Sequence, residues 1–249
     1  MRTGWTPLEV LVVLGITGAL VALLIVGVSA ARQRGRDAVS ASNLSQHTKA
    51  MTAYADDHRE FYPYFTEVGF MSGTLTGGGV TVEGVSFFDA HCTWHIVLAD
   101  SYYRTPAWSG VFYPPRFPES EGSGAPWTTP YFYGCCFIAE PAYWDRRTRT
   151  GADQFRGNRV SHVVFPSAKA LIIESWPFAA RVRTPADAVQ HALPVTTCDG
   201  GVRALAWDRR MGGHELGDGY HFAAEGAVHY TDFPPLLHTL DGVRGRDVR

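Results

Sequence analysis

The sequence predicts an α+β chain: a long N-terminal helix, its first part suited to lipid, packed on a head built around an antiparallel β-sheet. Three observations carry this reading. Val10 to Val28 is an almost unbroken apolar run, and about 20 such residues cross a bilayer as a helix. Beyond it, Ala41, Leu44, His47, Met51 and Tyr54 recur at three- and four-residue steps with no proline between Asp37 and Asp57, the spacing of one helix face. The last third of the chain carries short strand-like runs separated by Asp-Gly and Glu-Gly pairs, which mark hairpin turns.

The helix comes first. The apolar run and the periodic segment read as one helix of about fifty residues, on the order of 75 Å long, with a membrane span at about residues 8–31. Glu9 stands at the head of that span. A carboxylate inside hydrocarbon costs roughly 2.5 to 3.5 kcal/mol on insertion scales, and it usually marks a functional site with a partner. Arg32, Arg34 and Arg36 follow the span and only Arg2 precedes it, the reverse of the usual cytoplasmic excess of basic residues.

The remaining 59–249 reads as one head domain. Its net charge contribution is small, since the whole chain of 249 residues carries a formal charge of -2; this excludes the basic excess of a dedicated nucleic-acid binder. Trp94, Trp108, Trp127, Trp144, Trp176 and Trp207 are spread through it, a composition that suits a packed core rather than disorder. Cys92, Cys135, Cys136 and Cys198 allow at most one bridge on our reading, Cys198 with either Cys135 or Cys136; four buried thiols are the alternative.

In order along the head, Glu67 to Gly84 reads as a turn-rich connection around Gly77-Gly78-Gly79, and Phe87 to Tyr102 as a helix with Phe87, His91, Trp94, Leu98 and Tyr102 on one face. His91 and His95 lie one turn apart, a spacing that suits zinc, but core or surface histidines are the favoured reading. Thr105 to Pro130 is rich in proline and glycine and predicts a long loop. Strand-like runs follow at His162 to Phe165 and Ala170 to Glu174, then hairpins over Val195 to Ala206 and Tyr220 to Tyr230; Arg244 to Arg249 reads as an exposed tail.

No nucleophile elbow, phosphate-binding loop, dinucleotide fingerprint or His-Glu-x-x-His occurs, so the sequence predicts no enzyme and no cofactor. Asp208, Glu215 and Asp218 around Gly212 to Gly219 offer oxygens for calcium. A solvated turn is the preferred reading, because EF-hand spacing is missing.

Gly4-Trp5-Thr6-Pro7-Leu8-Glu9 before the apolar run resembles the N-terminus of type IV prepilins and type II secretion pseudopilins, whose common form is Gly-Phe-Thr-Leu-x-Glu. Gly18 falls where that family often keeps a glycine. Trp5 stands for the usual phenylalanine, and Val26 where many members have proline. Further resemblance lies in Asn43-Leu44 with Ala50 and Tyr54 ahead of Tyr62-Pro63, and in Phe165-Pro166-Ser167 before Ala170 to Glu174. The family's His-x9-Asp-Gly signature is only approached: His191 precedes Asp199-Gly200 by seven intervening residues, and His214 precedes Glu225-Gly226 by ten.

The resemblance implies a pilin-like fold, a leader of residues 1–4, and a helix over 5–58. It implies that a prepilin peptidase cuts after Gly4 and methylates the new amino terminus on Trp5, and that Glu9 pairs with the terminal amine of a neighbouring pilin or pseudopilin subunit. The chain would then be a structural subunit, major or minor, of a pseudopilus or pilus-like filament. Its helix would sit in inner-membrane lipid as a single pass, with the head periplasmic or extracellular. Some pseudopilins hold calcium in a C-terminal loop. The competing readings are a secretory signal peptide ending at Val28-Ser29-Ala30, a simple anchor, and a membrane-anchored periplasmic enzyme or carbohydrate-binding module.

Overall fold

The computed structural model describes residues 6–64, 73–115, 128–145, 147–174, 192–205, 221–222, 228–229, 239 and 241–248. The chain divides into two compact units, Met1–Val39 and Ser40–Arg249. Helix α1 (Pro7–Asp57) is 51 residues long and contributes to both. Pro7 occupies its first turn, where a missing N–H costs nothing, and the next proline is Pro63. The helix ends where the Glu60 N–H donates to Ala55 O at 2.8 Å and Arg59 and Glu60 adopt left-handed φ of 56° and 69°, a common way of turning a chain out of a helix.

In Ser40–Arg249 the buried face of α1 comprises Ser40, Asn43, Leu44, His47, Thr48, Ala50, Met51 and Ala55. Leu44, His47 and Met51 of the expected stripe are central to it, whereas Ala41 and Tyr54 lie at its half-buried margins. Across from it, a turn of 3-10 helix (Phe87–Asp89), helix α2 (Ala90–Leu98) and a π turn (Ala99–Tyr103) follow one another over the predicted helical stretch. Phe87, His91, Trp94 and Leu98 are buried, and Tyr102 is half-buried. The Trp94 indole N–H donates to Tyr131 O at 2.8 Å, so this large side chain is buried with its polar atom satisfied.

Tyr131 belongs to strand β3 (Tyr131–Tyr133), the first of a four-stranded antiparallel sheet continued by β4 (Ala170–Glu174), β5 (Leu193–Thr197) and β6 (Val202–Leu205) in that order. Every residue of β4 is buried, which is why its Ala-Leu-Ile-Ile run is continuous rather than alternating. The β5–β6 hairpin turns through Asp199-Gly200, as predicted; Gly200 has φ +88°, and Asp199 accepts from the Gly201 N–H at 3.1 Å. His221–Phe222 and Val228–His229 also pair antiparallel, within the second predicted hairpin.

Three expectations are corrected. The stretch around Gly77-Gly78-Gly79 is a hairpin of strands β1 (Gly73–Gly77) and β2 (Val80–Val85) rather than a bare connection. Gly78 and Gly79 at φ +55° and +78° supply the positive φ that a two-residue turn needs, and the β-branched Thr74, Thr76, Thr81 and Val82 flank it. The strand predicted over His162 to Phe165 does not form: His162 closes a 3-10 turn (Val160–His162), and among the described residues 163–165 pair with no strand.

The closing segment is the third correction. Asp247 and Val248 are buried, because Asp247 meets Lys169, whose side chain is fully enclosed. Lys169 Nζ lies 3.0 Å from Asp247 Oδ2 and also donates to Thr239 Oγ1, which donates in turn to Asp247. Asp247 additionally accepts from the Ala170 N–H at 2.9 Å, and its own N–H donates to Ala168 O at 2.8 Å.

Removing one partner of a buried pair strands the other charge without water, a loss of about 3–5 kcal/mol, whereas apolar replacement of both is far milder. Asp247→Ala is therefore expected to cost that much in denaturant unfolding followed by tryptophan fluorescence. The double variant Lys169→Met with Asp247→Leu is expected to recover most of it.

Candidate functional site

The start of α1 gives Glu9 a local partner. Glu9 Oε2 accepts from the Thr6 N–H at 2.8 Å and from the Thr6 hydroxyl at 2.9 Å, and the Glu9 N–H faces Thr6 Oγ1 at 3.3 Å. This reciprocal arrangement is a capping box, which satisfies N–H groups that the first turn leaves without helical acceptors. The pattern Thr-x-x-Glu was present in the sequence and is its recognisable sign. Gly4 and Trp5, the expected processing residues, lie outside the described residues.

From Leu8 to Val28 the apolar side chains of α1 are exposed on every side of the helix, and none of its most apolar stretch is buried. A helix apolar all round calls for a surrounding of lipid or of other apolar helices. Gly15, Gly18 and Gly27 have nothing near their Cα that an added methyl would meet. Downstream, the Gln33 amide donates to Asp37 at 3.1 Å.

In the head, the acidic end of β4 faces α1. Glu174 is buried and accepts from the Ser40 hydroxyl, while Tyr131 Oη lies 3.4 Å from Ser40 Oγ and accepts from the Asn43 amide at 3.3 Å. One helical turn further on, His47 is enclosed by aromatic rings, with Tyr131 at 4.7 Å and Trp94 at 5.0 Å between centroids. Its Nδ1 lies 2.7 Å from Tyr103 Oη. His95 is packed against Phe112 at 5.1 Å, and His91 against Phe132 at 5.0 Å with its Nδ1 near Phe88 O. The two histidines of α2 thus face different rings.

Burial disfavours the charged imidazole. It lowers His47 and His95 to about 3, with the proximity of His95 adding to the effect on His47. Burial likewise pushes the thiols of Cys92, Cys135, Cys136 and Cys198 up. All four cysteines are free, so the Cys198 bridge to Cys135 or Cys136 is not formed; Cys136 lies near Lys169 and Cys198 near Tyr62 instead. These groups are neutral at pH 7, the protonation states that suit a core. Among the described residues no three His, Cys, Asp or Glu side chains converge as a metal set. Asp208, Glu215 and Asp218 lie outside the described residues, as do His191, His214 and Glu225-Gly226.

The chain matches no protein-family model, no curated protein and no solved structure. Its class is defined by its own architecture: an α+β protein with antiparallel sheets and an N-terminal helix long and apolar enough to cross a membrane. A long N-terminal apolar helix together with antiparallel sheet is a combination of elements compatible with a pilin.

The buried histidines set an acid limit. An unfolded histidine binds its proton near pH 6.5, whereas His47 and His95 stay neutral down to about 3. The unfolded chain therefore holds more protons across that window, and stability falls with falling pH by up to about 1.4 kcal/mol per unit for each histidine. Denaturant midpoints of the full chain at pH 7 and pH 4.5 are expected to show this slope, and His95→Phe is expected to reduce it by one histidine's share, His91 being lowered by burial as well.

Proposed function

We propose that this chain is a structural subunit of a type IV pilus-like filament or type II secretion pseudopilus, processed after Gly4 and anchored in the inner membrane through α1 until it assembles. The observation that carries the reading is the prepilin-like block Gly4 to Glu9 placed directly before a helix whose apolar residues are exposed all round. Lipid and a bundle of like helices are interchangeable surroundings for such a surface, so a subunit can leave one for the other without wetting it. The head, built on residues 40–57 of the same helix, would be carried into the filament with it.

In this reading Glu9 has two roles in sequence. In the single subunit its carboxylate caps Thr6 at the positive end of the helix dipole. In the filament it meets the methylated amine of a neighbouring Trp5, and neither charge is left alone in an apolar surrounding.

The mature N-terminus tests processing. Mass determination is expected to find a methylated chain beginning at Trp5; a start at Ala31 would point to a discarded signal peptide, and Met1 to a simple anchor. Assembly is tested by a pair of substitutions at Glu9. Glutamine can serve at the third position of a capping box but carries no charge, so Glu9→Gln is expected to keep the helix start and membrane insertion while abolishing filament formation, as Glu9→Ala does. Normal assembly of Glu9→Gln would reduce Glu9 to a helix cap.

A further inference from the structure

We propose that the head carries a binding cleft for an acidic saccharide, on the surface where the exit of α1 meets residues 156–162. The cleft has a volume of about 1050 Å³, at the upper end of ligand sites, which commonly run about 300 to 1,000 Å³. It is therefore larger than a single inorganic anion requires.

Its floor is fixed by backbone pairing. Phe61 bridges Arg159 antiparallel, the Tyr62 N–H donates to Asn158 O at 3.0 Å, and the Val160 N–H donates to Glu60 O at 2.9 Å. The Asn158 side chain is buried and donates to Ala139 O at 2.7 Å, tying this floor to the wall formed by residues 140–142. Gly157 lets the Tyr64 ring lie directly on the backbone, since an added Cβ would come within 2.4 Å of that ring. Phe61 and Tyr64, 5.7 Å apart, are half-buried and present ring surface to the cleft.

The charges around these rings are unequal. Arg156, Arg159 and Arg244 line the cleft with Glu140 and Asp153, three guanidinium groups against two carboxylates. Glu140 is engaged by Arg156 at 3.4 Å, and Asp153 accepts from the Thr150 hydroxyl at 2.8 Å. The Arg159 guanidinium lies over the Phe61 ring at 4.7 Å. Arg244 is delivered by the left-handed turn Asp241-Gly242, which packs on Pro141 and Trp144. Among the described residues, neither Arg159 nor Arg244 has a carboxylate at ion-pair distance.

Two guanidinium groups without a carboxylate partner among the described residues suit an oxyanion, which arginine takes in bidentate fashion. Ring faces beside them suit the apolar face of a sugar, and the two rim carboxylates accept from hydroxyl groups. A ligand with a few oxyanions spaced among many hydroxyl donors fits this set. A run of acidic peptide side chains would instead meet Glu140 and Asp153 with like charge. The inference stands whether or not the chain assembles into filaments.

Titration calorimetry on the full chain in detergent tests it, with oligogalacturonate as the carboxylate probe, chondroitin sulfate oligomers as the sulfate probe, methyl-esterified oligogalacturonate as the neutral control and oligoglutamate as the peptide control. At least one acidic saccharide is expected to bind about tenfold or more tightly than the neutral ester, the effect of one charge-assisted hydrogen bond or more; the preferred probe identifies the oxyanion. Arg159→Gln with Arg244→Gln, both exposed positions, is expected to abolish that preference while leaving the thermal midpoint unchanged. Absence of saccharide binding, equal binding of the neutral ester, tighter binding of oligoglutamate, or a preference that survives the double substitution would each overturn the assignment.

Discussion

Burial of one face of α1 between Ser40 and Ala55 is the contact on which the head is assembled. Leu44 and Met51 supply its apolar part, and His47 sits between them within an aromatic enclosure that includes Trp94 and Tyr131. Trp94 ties α2 to β3 through its indole N–H, so helix, second helix and sheet share one core. Two polar residues on that face are matched: Ser40 meets Glu174 and Asn43 meets Tyr131. A buried carboxylate without such a donor would carry the full cost of desolvation. Upstream the same helix changes character, with apolar side chains exposed around its whole circumference. The two behaviours follow from the change from an apolar run to a spaced stripe within one uninterrupted helix.

The second constraint is a buried ion pair within the head. Lys169 and Asp247 are enclosed together, and Thr239 hydrogen-bonds to both. Burial works against the charge on Lys169, but Asp247 and Cys136 more than offset it and hold its pKa raised. The pair anchors the chain's closing residues to the start of β4, which also places Arg244 at the rim of the cleft. A structural ion pair and a candidate binding surface are thus linked through a few residues of backbone.

Much of the scaffold was legible because it is periodic or locally encoded. The helix stripe, the apolar β4 run and the Asp199-Gly200 turn each state their structure over a few neighbouring residues. The Gly77-Gly78-Gly79 hairpin was equally local but was obscured by glycine's use in every kind of connection. Strand β3 is three residues long, too short for periodicity to register, and exists because Tyr131 to Tyr133 pair with β4. The cleft was illegible for a different reason: its arginines and aromatics come from separate segments, and no spacing rule joins Phe61 to Arg159 or Arg244.

By itself, the sequence determined the long helix, the switch along it from apolar run to stripe, the capping pattern Thr-x-x-Glu, and the resemblance of Gly4 to Glu9 to a prepilin block. These are properties of neighbours along the chain, and local geometry is enough to express them. Tertiary structure alone decided that Glu174 faces Ser40, that His47 and His95 are held neutral, that the cysteines are free, and that the charged end of the chain is drawn inward to Lys169. Each of those outcomes depends on which distant residue removes a polar group from water and whether it offers a partner in return.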